Sequence, residues 1–354
     1  MSTRTDTPDF SPHTADAIAA DLLRLSPDYA ATPLLDLPSL AAQLGIAQIL
    51  VKDEGKRRLR SFKSLGGTYA GLRALARATG RTIADLLDPA TRPSRLPALI
   101  CASDGNHGLA VASASRFAGA KSIVFLHADV PASRENRILA EGAEVIRVDG
   151  SYDDSVDAAA RAAANGDAIL IPDVTSDPDD PVVADVMAGY GVIAAEIRRQ
   201  TEAAGHERPT HLFVQAGVGG LAAALAIGLK DWLAPPADIV VVEPEDAPCV
   251  AAALAAGHIV RLPGQQHTSA EMLACGTAST PTFEILRRCN AHAVTVSEDA
   301  LEDAPHLLRD HDGPATTPSG AAGLAGLAIV AKNLGPDSRA IIVVSEAALP
   351  DDPA

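Results

Sequence analysis

The chain has 354 residues, 47% hydrophobic but only 3% aromatic, with a formal net charge of -16. That length accommodates two α/β lobes, while the acidic balance and the shortage of stacking rings argue against nucleic acid and anionic membranes as partners. Met1 to Asp9 lacks the basic and apolar parts of a signal peptide, and no apolar run approaches the roughly 18 residues of a membrane helix, so a cytoplasmic location is expected.

Taken in chain order, Gln48 to Lys52 reads as a strand, followed by a basic run, Lys56-Arg57-Arg58 with Arg60. Those charges read as a solvated loop, with the guidance of anionic substrates as the alternative. Next comes Ser61-Phe62-Lys63-Ser64-Leu65-Gly66-Gly67, which opens a helix predicted over 63–79. A lysine behind an aromatic and ahead of a glycine pair can form a Schiff base if its site lowers its pKa; the competing account is an exposed lysine beside a core phenylalanine. Arg81 to Pro97 reads as a short helix and a proline-rich loop.

Strands are then predicted at 99–102, 122–126, 144–148 and 168–171, with helices at 106–118, 133–142 and 152–165 between them. The first of these strands runs into Ala102-Ser103-Asp104-Gly105-Asn106-His107-Gly108, a tight turn before a helix. Its glycines admit a ligand close to the backbone, and the first free N–H groups of the helix suit an anion or a phenolate; ordinary N-capping by Ser103, Asp104 or Asn106 is the alternative. Ser176 to Pro181 reads as a loop and Val183 to Thr201 as a long helix.

A second glycine turn, Gln215-Ala216-Gly217-Val218-Gly219-Gly220, lies between a strand at 211–214 and a helix at 221–229. Consecutive amides there form a phosphate nest. Gly217, Gly219 and Ala222 also satisfy the dinucleotide fingerprint G-x-G-x-x-[GA], with Glu243 at the end of the strand 239–242 where a ribose-binding acid would stand, so an NAD-binding oxidoreductase stays open. Close packing of a helix on a strand is a third account. The remaining histidines, among them His258, His267, His292, His306 and His311, lack metal-ligand spacing, and no metal is expected.

In this order, the three motifs resemble those of the fold-type II pyridoxal-phosphate enzymes, the tryptophan synthase β and threonine dehydratase superfamily. The resemblance implies a two-domain α/β fold of parallel-stranded sheets flanked by helices. It places a discontinuous large domain at 1–67 and 166–354 and a small domain at 68–165, with pyridoxal 5'-phosphate in the cleft and a homodimer as the assembly. Lys63 then carries the cofactor with Phe62 beside its ring, Asn106 meets the phenolic oxygen, and Ser103, Asn106 and His107 surround the substrate carboxylate. Gly217, Val218, Gly219 and Gly220 wrap the phosphate, and Ser345, ending the strand 341–345, meets the pyridine nitrogen. A neutral serine there does not hold that nitrogen protonated, which favours β-elimination.

Within the superfamily the chain is similar to the diaminopropionate ammonia-lyases, through Val51-Lys52-Asp53-Glu54, the Ser103 to Gly108 turn, Gly142-Ala143-Glu144, Tyr152-Asp153-Asp154, Gln215 to Gly219 and Leu273-Ala274-Cys275-Gly276. The resemblance implies that Asp104 is a second acid/base on the face away from Lys63, so that both substrate hands are deprotonated, and that Asp173 receives the β-ammonium group. It also implies that Cys249 and Cys275 lie close together and respond to oxidants. Departures fall where a substrate side chain would sit. Thr316-Thr317-Pro318-Ser319-Gly320-Ala321 lacks the family's glutamate, Glu346-Ala347-Ala348 replaces a threonine-containing continuation, and Ser176 to Pro181 lacks a tryptophan. They leave a serine, threonine or hydroxyaspartate dehydratase, or a β-replacement enzyme, as the second reading.

Overall fold

The computed structural model describes residues 11–349 except 104 and 151. Its strands are β1 (Leu34–Asp36), β2 (Gln48–Asp53), β3 (Ala98–Ala102), β4 (Ser122–His127), β5 (Glu144–Val148), β6 (Ala168–Leu170), β7 (His211–Gln215), β8 (Asp238–Pro244), β9 (His292–Val296) and β10 (Arg339–Val344). They form a six-stranded sheet in the order β1-β2-β10-β7-β8-β9 and a four-stranded sheet in the order β5-β4-β3-β6. Every pairing is parallel except β1 with β2. Parallel strands covered by helices on both faces read as unbroken apolar runs, and Ile341-Ile342-Val343-Val344 is buried throughout.

The four-stranded sheet draws its edge strand β6 from beyond residue 165, and position 68 lies inside the helix Lys63–Thr79. That helix packs against two others, Asn106–Ala118 and Pro181–Ala203, so it belongs to the framework around both sheets. The glycine pair makes the double contact possible. A Cβ on Gly66 would stand 2.4 Å from Val186 O, and one on Gly67 would stand 2.6 Å from Ala110 Cβ. The helix stops at Gly80, whose left-handed φ of 64° lets its N–H return to Ala76 and Arg77 carbonyls.

The basic run before Lys63 is only partly the solvated loop expected, since Lys56 and Arg60 are exposed but Arg57 is buried. Arg57 is 2% exposed, and its guanidinium bonds Glu54 Oε1 at 2.8 Å, Glu196 Oε2 at 2.7 Å and Ala30 O at 2.8 Å. Lys52 Nζ joins the same cluster through Glu196 Oε2 at 2.6 Å and Thr32 O at 2.7 Å. Two cations and two carboxylates thus neutralise one another inside the protein, as buried charges must. The cluster anchors the segment that delivers Lys63.

Candidate active site

One cavity lies where the C-terminal ends of β7 and β10 meet the start of the Lys63 helix and the turns after β3 and β6. Such carboxyl-end crevices are where open α/β sheets bind ligands. Phe62, Lys63, Ser103, Asn106, His107, Asp173, Gly217 to Gly220 and Ser345 all line it. Asp104 falls outside the described residues.

Lys63 Nζ donates to Asp173 Oδ2 at 2.6 Å. Burial alone would lower the lysine, but the Asp173 carboxylate and its hydrogen bond outweigh that and raise the Lys63 pKa above its ordinary value. Burial would raise Asp173, and the charges of Lys63 and His107 bring it down to about 2. Without a cofactor, the lysine is therefore an ammonium held by a carboxylate. Phe62 stands 4.8 Å from the Tyr190 ring, centroid to centroid, and Phe62 N donates to Ser345 O at 3.1 Å.

The turn after β3 is built on Ser103, whose Oγ accepts from Gly105 N at 3.0 Å and Gly108 N at 2.8 Å. The N-cap itself is Gly105, and Ser103, two residues earlier, satisfies the Gly108 N–H of the first turn while it lines the cavity. Asn106 Nδ2 donates to Glu346 Oε2. His107 Nε2 lies 2.8 Å from Ile171 O, and since a carbonyl only accepts, Nε2 carries the proton. Burial lowers the His107 pKa and keeps the ring neutral, so Nδ1 offers a lone pair rather than the donor a carboxylate needs. A Cβ on Gly67 would stand 3.5 Å from that nitrogen.

The later turn is a nest. The carbonyls of Gly217 and Val218 face outward, accepting from Cys249 Sγ at 3.3 Å and from Thr282 Oγ1 at 2.8 Å. Gly219 has φ 96°, and a Cβ there would stand 2.8 Å from Thr282 Oγ1, so only glycine fits. The helix Gly220–Leu229 begins there with its free N–H groups.

Glu243, the acid of the dinucleotide reading, does not face the cavity. It is fully buried and accepts from Val250 N and Ala251 N at 2.8 and 2.7 Å, with burial pushing its pKa up to about 7. It caps the helix Cys249–Ala256 and has no oxygen to offer a ribose. None of the four cysteines is joined in a disulfide. Cys249 and Cys275 both adjoin Gly217, the first through its hydrogen bond and the second 2.9 Å from where a Cβ would be. Among the described residues there is no group of three or more potential metal ligands, and no helix is long and apolar enough to cross a membrane.

At the far wall, Gln215 Nε2 faces four oxygens, those of Ser319, Gly320 and Val343 and the Oγ of Ser345 at 2.9 Å. Four acceptors fix the amide's orientation. Because Ser345 Oγ accepts there, its own hydrogen remains available to an acceptor in the cavity. The sequence reading gave Gln215 and Tyr190 no role in the site and marked Glu346 only as a departure where a substrate side chain would sit. Tyr190 sits in a long helix without a motif, and its hydroxyl is buried without a hydrogen-bond partner.

These features fit pyridoxal phosphate: an amine, a nest at a helix start for its phosphate, an amide beside the turn, and a neutral hydroxyl donor at the opposite wall. A family model described as pyridoxal-phosphate dependent enzyme matches residues 25–346. The chain belongs to that family and is a pyridoxal-phosphate-dependent enzyme of fold type II. It is 32% identical to the diaminopropionate ammonia-lyase of Escherichia coli over 308 residues, 86% of this chain and 77% of that one. A crystal structure of the Escherichia coli enzyme with an aminoacrylate-PLP azomethine reaction intermediate has a TM-score of 0.84 at 29% identity, covering 98% of this chain and 91% of that one. The biosynthetic L-threonine dehydratase of Salmonella typhimurium is 31% identical, over 84% of this chain and 52% of that one.

Proposed function

We propose that the protein is a lyase that eliminates ammonia from 2,3-diaminopropionate, of L and also D configuration, or from a close β-substituted amino acid. With diaminopropionate and one water, the products are pyruvate and two molecules of ammonia. The observation that carries this reading is the Lys63–Asp173 pair at 2.6 Å inside the cavity, because it supplies an amine that can act as a base and a carboxylate for the second ammonium group of the substrate.

Bound here, pyridoxal phosphate supplies an aldehyde for Lys63 and an electron sink for the charge left when Cα loses its proton. The chain's own residues do the rest. The nest at Gly217 to Gly220 binds the phosphate, Asn106 reaches the phenolic oxygen, and the Ser345 hydroxyl donates to the ring nitrogen without protonating it. Phe62 would pack beside the ring. Lys63, once its amine is free and neutral, takes the Cα proton. Asp173, released from the ammonium, receives the substrate's β-ammonium group. The turn Ser103-Asn106-His107 surrounds the α-carboxylate, with the backbone N–H groups as donors and His107 as a neutral wall. Asp104 takes the proton on the opposite face for the other enantiomer.

In this proposal the segment 68–165 is the small domain that closes on the rest, and the enzyme works as a cytoplasmic homodimer; light scattering checks the assembly. A dehydratase acting on serine or threonine is the second reading, favoured by the likeness to threonine dehydratase. The test is turnover of L- and D-diaminopropionate beside L-serine and L-threonine, on protein whose yellow band is removed by borohydride and by Lys63→Ala. Preference for diaminopropionate is expected, and Asp104→Asn should harm one enantiomer far more than the other. A preference for serine or threonine would select the second reading.

A further inference from the structure

Glu346 follows Ser345 directly at the end of β10 and is 9% exposed. Its Oε1 accepts from Thr317 Oγ1 at 2.7 Å, its Oε2 accepts from Asn106 Nδ2, and its backbone carbonyl accepts from Thr316 Oγ1 at 2.5 Å. Its backbone also forms a bridge with Ser61, two residues before Lys63. This carboxylate lines the same cavity as Lys63 and Asn106, and on its other side a small hollow is lined by Arg60, Arg134 and Arg137. Arg134 Cδ lies 3.2 Å from where a Cβ on Gly105 would be, so the stem of that side chain also covers the Asn106 turn.

An amide nitrogen carries two hydrogens. With one held by Glu346, the plane of the Asn106 amide is set and the second hydrogen has a defined direction. We propose that Glu346 is a positioning residue, which through Asn106 aims that second N–H at the phenolic oxygen of the cofactor and so sets where the proton shared by that oxygen and the Lys63 nitrogen resides. The inference rests on the proposed cofactor pose. A side chain without an acceptor oxygen at position 346 would leave the amide free to rotate.

The readout is the ratio of the long-wavelength to the near-ultraviolet band of the resting holoenzyme, followed across pH without substrate. Glu346→Ala should change that ratio by about threefold or more, and the change should vanish in an Asn106→Ala background, as two groups acting in series require. Glu346→Gln keeps an acceptor for Asn106 and should restore most of the native ratio, which also guards against a folding defect in the alanine variant. An unchanged ratio in Glu346→Ala, or an equal change in both backgrounds, overturns the inference while the borohydride-sensitive band remains. Absence of that band from the unsubstituted protein overturns the cofactor pose itself.

Discussion

Lys63 and Asp173 lock each other in the charged state, the lysine raised and the carboxyl lowered to about 2. Asp173 lies below its unfolded value of 3.8, so its contribution to stability is present above that value and disappears as pH falls towards about 2. Lys63 has the opposite sign and contributes fully below 10.5, losing its share only as pH climbs through its raised folded value. Urea unfolding of cofactor-free protein should therefore show an acid limb between about pH 4 and pH 2 that is shallower in Asp173→Asn.

The same pair restrains cofactor capture, because an ammonium does not attack an aldehyde. Removing the carboxylate leaves burial to lower the lysine, and each unit of lowering gives roughly ten times more free amine. Stopped-flow absorbance should show Asp173→Asn taking up pyridoxal phosphate faster than the unsubstituted protein near neutral pH, even as its turnover of diaminopropionate falls. Slower uptake would contradict the pairing.

Gly219→Ala meets both a left-handed φ and a Cβ 2.8 Å from Thr282 Oγ1. The strain is on the order of 1–3 kcal/mol, so the cofactor Kd from fluorescence titration should rise by about tenfold or more. Gly257 shares a positive φ but has nothing within 4 Å of its Cβ position. Gly257→Ala should leave that Kd unchanged.

Breaking the buried cluster should be felt in stability first. Glu196 serves both Lys52 and Arg57, so Glu196→Ala leaves two cations short of a partner and should cost about 3–5 kcal/mol in urea denaturation. Glu196→Gln keeps one acceptor and should cost less. Loss of cofactor affinity should accompany the alanine variant, because Arg57 holds the segment leading to Lys63.

Glycine was the legible part of this site. The turns at Gly105 and Gly217 declare backbone needs that no other residue meets, so the motifs pointed to their structural positions, and the strands at 144–148 and the helix at 63–79 match the sequence reading end for end. The helix Pro318–Val330 escaped it because Ser319 to Leu327 are buried on every side, with Gly323 against Phe213 O and Gly326 against Val242, and so show no amphipathic stripe. Gln215 and Glu346 escaped for another reason. Their roles depend on partners 130 and 240 residues away, and such juxtapositions exist only once both sheets are folded. Glu346 nevertheless left a trace, as an acid directly after an apolar strand.

The placement of β10 between β2 and β7 has a consequence for biosynthesis. The strand that separates these two is translated after both of them, and it brings the wall behind the reactive lysine with it. A growing polypeptide therefore has no competent half-enzyme stage. Vitamin capture awaits the arrival of residues 339–346, and a ribosome stalled before them yields a product unable to hold its coenzyme in working order.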